Sequence, residues 1–425
     1  MYFKIRKLQI MEKMELLAPA GDLEKLKIAI DYGADAVYFG GPMFGLRAGA
    51  GNLNIEEMKE GLDYAHARGA KAYMTVNVFA HNEDIKLLPG YLESLKGLPI
   101  DAFLVSDPGV FMIFKQVLPD AEIHLSTQAN TTNYMTANFW YRQGVKRIVA
   151  AREMSFKELR EFRDNIPADM EIEAFVHGAM CISYSGRCLL SNFMTGRDSN
   201  RGACAHPCRW NYALMEEQRP GEYFPVDEDE RGTYVFNSKD LCMIEHIPEM
   251  VGAGISSAKI EGRMKTIFYV ATVVRVYREA IDAYYADPEN YRFRQEWLDE
   301  LCKVSNRHFT TGFFLGKTDE TAQNYESSAY IRDYDFIGIV REYDEASGYA
   351  IVEQRNNFKK GQEIEVFGPG SAGFFSQTVE EMYDAKSGEP IDVAPHAQQL
   401  VRVKMAHAVA PKYMLRRRRA DAARI

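Results

Sequence analysis

Five of the six cysteines of the chain lie close together and could bind a metal. They are Cys181, Cys188, Cys204, Cys208 and Cys242, in the pattern C-x6-C-x15-C-x3-C-x33-C. No export signal is recognisable, so disulfides are not expected and metal binding or redox chemistry is favoured. Thiolates bind zinc or iron–sulfur clusters, and this spacing is neither a pair of C-x2-C units nor the bacterial ferredoxin pattern. We therefore expect a metal centre, with an iron–sulfur cluster favoured over zinc; free buried cysteines are the alternative. Cys302 lies apart, in a predicted helix.

Polar side chains occur on one face of several predicted strands. Asn77, Gln128 and His177 end three of them, and Lys259 and Glu261 share a face of the last. Alternate residues of a strand point to opposite sides, and the apolar side must meet the helices, so the polar side is expected to point into a barrel. Unpaired polar groups are costly there, which predicts an active site with these five residues as catalytic candidates. The alternative is a buried network of satisfied hydrogen bonds.

Arginines are frequent in the same cysteine-rich segment. They are Arg187, Arg197, Arg201 and Arg209. Guanidinium groups suit carboxylates and phosphates, so these residues are candidates to bind an anionic small molecule or an RNA backbone, with surface charge as the alternative. Neither H-E-x-x-H nor G-x-S-x-G occurs, which argues against common hydrolase sites. A His177–Cys181 dyad is conceivable, but not if the thiol ligates a metal.

Eight alternating strand and helix segments must position these residues. Strands are predicted at 14–21, 36–41, 71–77, 102–107, 122–128, 145–150, 171–177 and 255–261, with helices between them that are capped, for example, by Asp22 and Asn54. Eight such units predict an α/β fold of the (β/α)8 TIM-like barrel type, with its site at the carboxyl ends of the strands. The long loop 178–238 carries four of the cysteines, so we expect it to be functional.

The rest of the chain predicts a second domain and a basic end. We expect a leader at 1–13, the barrel domain at 14–330, a small antiparallel β-barrel at 334–410 and a basic tail at 411–425. The tail holds four consecutive arginines, 416–419, and is either an RNA-binding element or a solvated tail. Net charge is −9, which excludes a wholly basic nucleic-acid wrapper but not a local basic site. No apolar run is long enough to span a membrane, so a cytoplasmic protein is expected.

Several segments closely resemble peptidase family U32, over nearly the whole chain. They are Glu173-Ala-Phe-Val-His-Gly-Ala-Met-Cys181, Ser183-Tyr-Ser-Gly-Arg-Cys188, Asn200-Arg-Gly-Ala-Cys204, Pro207-Cys-Arg209, Leu16-Leu-Ala-Pro-Ala-Gly21 and Lys259-Ile-Glu-Gly-Arg263. The family was first labelled collagenase-like peptidases. Better understood members are oxygen-independent hydroxylation proteins with a [4Fe-4S] cluster, acting on ubiquinone precursors, ribosomal RNA or transfer RNA. The chain looks most like the transfer RNA branch.

That resemblance implies hydroxylation of wobble uridine to 5-hydroxyuridine, with prephenate as hydroxyl source, tRNA as partner and a possible paralogous U32 subunit. It matches Cys181, Cys188 and Cys204 to cluster ligands and leaves the fourth open between Cys208 and Cys242. We expect Cys242, because it is predicted in the first turn of a helix, where the helix dipole favours a thiolate. The alternative functions are a U32-type peptidase and a non-catalytic scaffold that carries the cluster.

Overall fold

A closed barrel of parallel strands forms the first part of the chain. The computed structural model describes residues 13–46, 51–210, 213–215, 223–225, 238–318, 322, 330–370 and 373–420. The predicted leader, apart from residue 13, and parts of the predicted loop 178–238 lie outside the described residues. None of the helices in the described ranges is both long and apolar enough to cross a membrane.

Eight parallel strands build the barrel, and all eight agree with the sequence prediction. The eight barrel strands are β1 (Glu15–Pro19), β2 (Ala36–Gly40), β3 (Lys71–Val76), β4 (Ala102–Val105), β5 (Ile123–Leu125), β6 (Arg147–Val149), β7 (Glu171–Gly178) and β11 (Ser257–Ile260). Between β7 and β11 the chain forms three short strands, β8 (Ala213–Met215), β9 (Tyr223–Pro225) and β10 (Asp240–Cys242). Strands β1 to β7 pair in sequence order, and β11 pairs with both β7 and β1, which closes the barrel.

Helices cover the outside of the barrel because the outward side chains of the strands are apolar. The helices are α1 (Leu23–Asp31), α2 (Ile55–His66), α3 (Asn82–Ser94), α4 (Pro108–Val117), α5 (Tyr134–Arg142), α6 (Phe156–Asp164), α7 (Leu190–Thr195), α8 (Ile247–Gly252), α9 (Ile267–Ala286) and α10 (Gln295–Cys302). The predicted caps are confirmed: Asp22 accepts a hydrogen bond from the Lys25 amide, and Asn54 forms a capping box with Glu57. Such caps satisfy amide groups that a helix leaves unpaired.

The segment that returns the chain from β7 to β11 differs from the prediction. Strand β10 runs antiparallel to β7, with Cys242 opposite His177, and β12 (Phe309–Thr310) pairs with its other side. Cys242 therefore lies in a strand, and the next α-helix starts only at Ile247. The prediction that Cys242 occupies the first turn of a helix is wrong, because the backbone at 240–242 continues the barrel sheet.

The last part of the described chain is an antiparallel domain, as predicted. Its strands are β13 (Tyr334–Asp344), β14 (Tyr349–Gln354), β15 (Phe358–Lys359), β16 (Glu363–Phe367), β17 (Phe375–Thr378), β18 (Met382–Asp384), β19 (Val393–Ala394), β20 (Leu400–Lys404) and β21 (Met414–Arg418). Strand β21 pairs with both β13 and β16, so it lies inside the seven-stranded sheet. The expectation of a basic tail at 411–425 is therefore wrong for 414–418.

Arg416 shows why this basic run folds. Its side chain is fully buried, and it donates hydrogen bonds to Glu300 of α10 at 2.7 and 3.0 Å and to Glu365 of β16 at 2.6 Å. The next residue, Arg417, is paired with Asp335. The Arg416–Glu300 pair joins the β-domain to the barrel domain, and the pairs with Glu365 and Asp335 lie within the β-domain. At least half of the arginine run is therefore structural.

Candidate active site at the mouth of the barrel

A cavity of about 370 Å³ opens at the carboxyl ends of the barrel strands. Its walls combine thiols, amides, acids and bases that lie far apart in sequence. Among the residues that line it are Asn77, Gln128, Arg152, Phe175, Cys181, Cys188, Cys204, Cys208, Arg209, Lys259, Glu261 and Arg263. The carboxyl-terminal face is the usual place for the active site of a barrel of this type. Four of the five predicted catalytic residues, all except His177, are among its lining residues.

Four cysteines share this cavity. Cys181 comes three residues after the end of β7, and Cys208 lies in a single helical turn, Pro207–Arg209. Burial and, to a smaller extent, the other three cavity thiols together raise the pKa of Cys208 to about 11, although Arg209 opposes this shift. All four cysteines line the same cavity. Arg152 approaches one of them, with its Nη1 3.6 Å from the Cys181 sulfur.

Hydrogen bonds hold the cysteine-bearing loop over the barrel. The Cys188 carbonyl accepts from Ser199 Oγ at 2.7 Å and from Asn200 Nδ2 at 3.0 Å. The Asn200 carbonyl in turn accepts from the Phe79 amide, which follows β3. These bonds connect the segment around Cys188 with residues 199–200, and residue 200 with the segment after β3. The fold therefore positions the cysteines of this loop.

Cys242 does not line the cavity. Its side chain is 7% exposed, and its sulfur lies 3.9 Å from the Tyr277 hydroxyl of α9. Burial raises the pKa of this thiol to about 12, which is the opposite of the lowered pKa expected for a helix N-terminus. Cys208, the other residue that the sequence left open, lies with Cys181, Cys188 and Cys204.

The four cavity thiols match the donor set of a [4Fe-4S] cluster. Among the described residues, no three His, Cys, Asp or Glu side chains are grouped as ligands of one metal ion. A four-iron cluster is held differently, by one thiolate on each of its irons, and its ligands surround a body larger than an ion. Cys181, Cys188, Cys204 and Cys208 could hold such a cluster at the cavity wall.

An amide pair lies deeper in the cavity. Asn77 donates from Nδ2 to Ser126 Oγ at 3.0 Å and to Gln128 Oε1 at 3.1 Å. The two bonds use the amino group of Asn77, and the second occupies the side-chain carbonyl of Gln128. The Gln128 amino group can therefore still donate to a ligand, and Gln128 is only half-buried.

A buried ion network forms the floor below these amides. Lys259 Nζ lies 2.6 Å from Glu173, which also contacts Arg147 at 3.2 Å, and Arg147 pairs with Glu15 at 2.6 Å. Burial lowers the pKa of Lys259, and Glu173 opposes that shift. Lys259 reaches the cavity, whereas Glu173 is fully buried beneath it.

His177 is placed differently from the other predicted catalytic residues. Its ring is 1% exposed and packs against Tyr269 and Tyr277 of α9 and against Phe309. The pairing of β7 with β11 shifts register next to His177, so simple strand alternation, which predicted an inward side chain, fails there. Burial lowers the pKa of His177 to about 3, and the imidazole is therefore neutral at physiological pH.

The four predicted anion-binding arginines occupy different positions. Arg209 lines the cavity, and Arg187 is exposed with its guanidinium 5.6 Å from the centre of the Phe79 ring. Arg201 is paired with Asp84 at 2.6 Å. The fourth, Arg197, is exposed and donates to the Ala203 carbonyl. Only Arg209 is brought into the cavity itself.

Arg152 and Arg263 were not among the predicted site residues. Arg152 follows β6 by three residues, and a cationic residue just after a barrel strand could have signalled it. Arg263 donates to Thr75 Oγ1 at 3.2 Å and to the Leu46 carbonyl at 2.9 Å. It follows Lys259 and Glu261 on the strand face predicted to point into the barrel, but its contacts with Thr75 and Leu46 join segments that are distant in sequence, so only the structure shows them.

The fold and the site together define an α/β-barrel protein with a thiol-lined cavity and an appended β-domain. The chain belongs to peptidase family U32. The family model "Peptidase family U32" matches residues 21–324, and "Peptidase family U32 C-terminal domain" matches 332–416.

Curated relatives carry a more specific name. The chain is 47% identical to tRNA hydroxylation protein P1 of Bacillus subtilis over 96% of both chains. It is 38% identical to tRNA hydroxylation protein P of Escherichia coli, over 91% of this chain and 92% of the relative. It is also 34% identical to tRNA hydroxylation protein P2 of Bacillus subtilis, over 72% of this chain and 99% of the relative.

Proposed function

We propose that this chain is a cytoplasmic tRNA-modifying enzyme that hydroxylates wobble uridine to 5-hydroxyuridine without molecular oxygen. A [4Fe-4S] cluster would be its cofactor, and prephenate, an anionic small molecule, its source of the hydroxyl group. The names of the relatives support the reaction class. The observation that carries the proposal is the convergence of four thiols and a set of cationic and amide side chains on one cavity.

The dimensions and polarity of the cavity support a nucleobase substrate. A base must leave its stack before an enzyme can modify it, and a cavity of about 370 Å³ at the mouth of a barrel can receive one. The Gln128 amino group can donate to a uracil carbonyl, while Asn77 holds Gln128 in place. The exposed Phe79 and Arg187, which contact each other, suit the flanking RNA.

The cationic residues of the cavity support an anionic co-substrate. Arg209 and Arg152 both line it, next to the cysteines. A guanidinium binds a carboxylate through two parallel hydrogen bonds, so these residues would hold a dicarboxylate close to the base.

Cys181, Cys188, Cys204 and Cys208 are the proposed cluster ligands. When bound by these four thiolates, such a cluster would supply electron transfer at the cavity wall. The chain itself binds and orients the two substrates and excludes bulk water from them. A paralogous subunit is a possible partner, as the paired names P1 and P2 of the Bacillus relatives suggest.

Anaerobic reconstitution tests this function. The purified, iron-loaded chain is added with prephenate to an extract of a strain that lacks it, so that the extract supplies any partner subunit. Nucleoside mass spectrometry of the tRNA should then detect 5-hydroxyuridine, and omission of prephenate should prevent it. Unchanged tRNA together with metal-dependent cleavage of gelatin by the same preparation would instead support the peptidase alternative.

A further inference from the structure

Lys259 is a buried amine that nevertheless reaches the cavity. It lies on β11 with 3% of its surface exposed, and it is one of the residues that line the cavity. Its Nζ lies 4.2 Å from the centre of the Tyr38 ring and 5.5 Å from that of Phe175. A lysine that only balanced Glu173 would not need to border a cavity, so its position points to a ligand.

Arg152 provides a second cation beside this amine. Its guanidinium carbon lies 4.0 Å from the centre of the same Phe175 ring. Its Nε is buried and has no hydrogen-bond partner among the described residues. An amine and an incompletely satisfied guanidinium therefore neighbour each other around one aromatic ring, and both border the same cavity.

We propose that Lys259 forms a Schiff base with the ketone carbon of a 2-oxo carboxylic acid whose carboxylate pairs with Arg152. In this ligand class the ketone carbon is bonded directly to the carboxylate carbon. One ligand could therefore contact both the Lys259 amine and the Arg152 guanidinium, which lie near the same Phe175 ring. This inference deepens the proposed function, because it states how a co-substrate of this class is held. Only its connection with tRNA rests on the proposed function.

Glu173 supplies the proton transfers that the step requires. The Lys259 ammonium passes a proton to Glu173, the free amine forms a C–N bond to the ketone carbon, and the proton goes to the oxygen of the adduct, which becomes a hydroxyl group. Glu173 then takes a second proton from the adduct nitrogen and passes it to this hydroxyl, so that the C–O bond breaks, water leaves and the nitrogen lone pair forms the C=N bond. Ammonium plus ketone gives iminium plus water, with no change in total charge and no oxidant or reductant.

The buried charges remain paired throughout. The iminium keeps the positive charge next to Glu173, and Arg147 contacts the same carboxylate at 3.2 Å. Isolated charges are costly to bury, so a reaction that conserves charge is compatible with this network. Burial also lowers the pKa of Lys259, which eases the loss of the proton; lysines desolvated in this way are common Schiff-base nucleophiles.

Reductive trapping of the iron-loaded full chain tests the proposal. The probes are phenylpyruvate, which has a 2-oxo carboxylate, and phenylacetone, which has a methyl group in place of the carboxylate. Each is incubated anaerobically with the protein and cyanoborohydride, and the modified lysine is located by peptide mass mapping. Phenylpyruvate should modify Lys259, and phenylacetone should do so about tenfold less, because it lacks the charge-assisted contact with Arg152.

Controls separate this adduct from random labelling. Lys303, which is also paired with glutamates but lies outside the cavity, should remain unmodified in the same map. In the variant Arg152→Gln the two probes should react equally, and in Lys259→Arg the adduct should vanish. Because the map of the unaltered protein locates the adduct by itself, a variant that fails to fold does not prevent the test.

The outcomes distinguish this inference from the proposed function. Labelling of Lys265 or of surface lysines with Lys259 unmodified would overturn the Schiff base. If tRNA is hydroxylated but Lys259 is never trapped, only the Schiff base is wrong. If Lys259 is trapped but tRNA is never hydroxylated, the cavity is a 2-oxo acid site that serves another reaction, and the proposed function is wrong.

Discussion

Replacing Arg416 by glutamine should destabilise the whole chain, although a basic residue near the end of a sequence usually tolerates change. The guanidinium is fully buried and donates three hydrogen bonds to two carboxylates, Glu300 and Glu365. Glutamine is shorter and uncharged, so it cannot bridge them. Both carboxylates would keep Lys303, and Glu300 would also keep Arg275 at 2.7 Å, but the three bonds from Arg416 would be lost.

The magnitude follows from two independent considerations. Removing one partner of a buried ion pair typically costs about 3–5 kcal/mol. Burial alone would raise the pKa of Glu300, but Arg416 and Lys303 outweigh it and lower this pKa from 4.5 to about 2. A shift of that size corresponds to about 3 kcal/mol of favourable interaction with the ionised carboxylate, part of which comes from Lys303. We therefore expect a loss of about 3 kcal/mol at pH 7.

Urea unfolding followed by tryptophan fluorescence measures this loss, since Trp297 is buried in the same helix as Glu300. Because the pKa of Glu300 is lowered in the folded state, its contribution is fully present above about pH 4.5 and is lost as the pH falls towards 2. The difference between the two proteins should thus be constant from pH 7 to 5 and shrink below that. Arg418→Gln, an exposed change on the same strand, is the control. Equal stabilities of the original protein and Arg416→Gln at pH 7 would refute the reasoning.

Three further changes have distinct expected results. Anaerobically purified Cys208→Ala protein should lose most of its iron, whereas Cys242→Ala protein should keep it, as measured by iron analysis. The reverse result would identify Cys242, in strand β10, as the fourth ligand. Arg147→Gln should lower the free energy of unfolding by about 3–5 kcal/mol in urea, because it leaves Glu173 with one cation fewer; an unchanged midpoint would contradict this. Arg187→Gln should reduce the salt dependence of tRNA binding by about one phosphate contact, and an unchanged slope would exclude that contact.

The barrel could be predicted because each of its strands carries its own local signal. Apolar strand segments alternate with capped helices at regular intervals, and Asp22 and Asn54 mark helix starts as expected. Strand alternation also placed Asn77, Lys259 and Glu261 in the cavity, since period-two geometry is set by the backbone. Gln128 also lines the cavity, but it was predicted at the end of a strand and lies in a 3₁₀ turn, Thr127–Ala129, after β5. These features depend on neighbours in sequence, so one sequence was enough to predict them.

The errors arose where contacts between distant segments decide the structure. Cys242 was expected at a helix start, but 240–242 pairs with β7, and a segment of three residues carries too little periodicity to reveal a strand. His177 was expected to face inward, but the register shift at the end of β7 turns it towards Tyr277. The arginine run was read as a tail because its partners, Glu300 and Glu365, are distant in sequence.

Nucleoside mass spectrometry of tRNA from a strain that lacks this chain tests the central claim most directly. The strain is complemented with the original gene, with Cys208→Ala or with Cys242→Ala, and the same tRNA is analysed in each case. We predict that 5-hydroxyuridine and its derivatives disappear in the deletion strain, return with the original gene and with Cys242→Ala, and remain absent with Cys208→Ala. Wobble uridines that are hydroxylated equally with and without the chain would contradict the account.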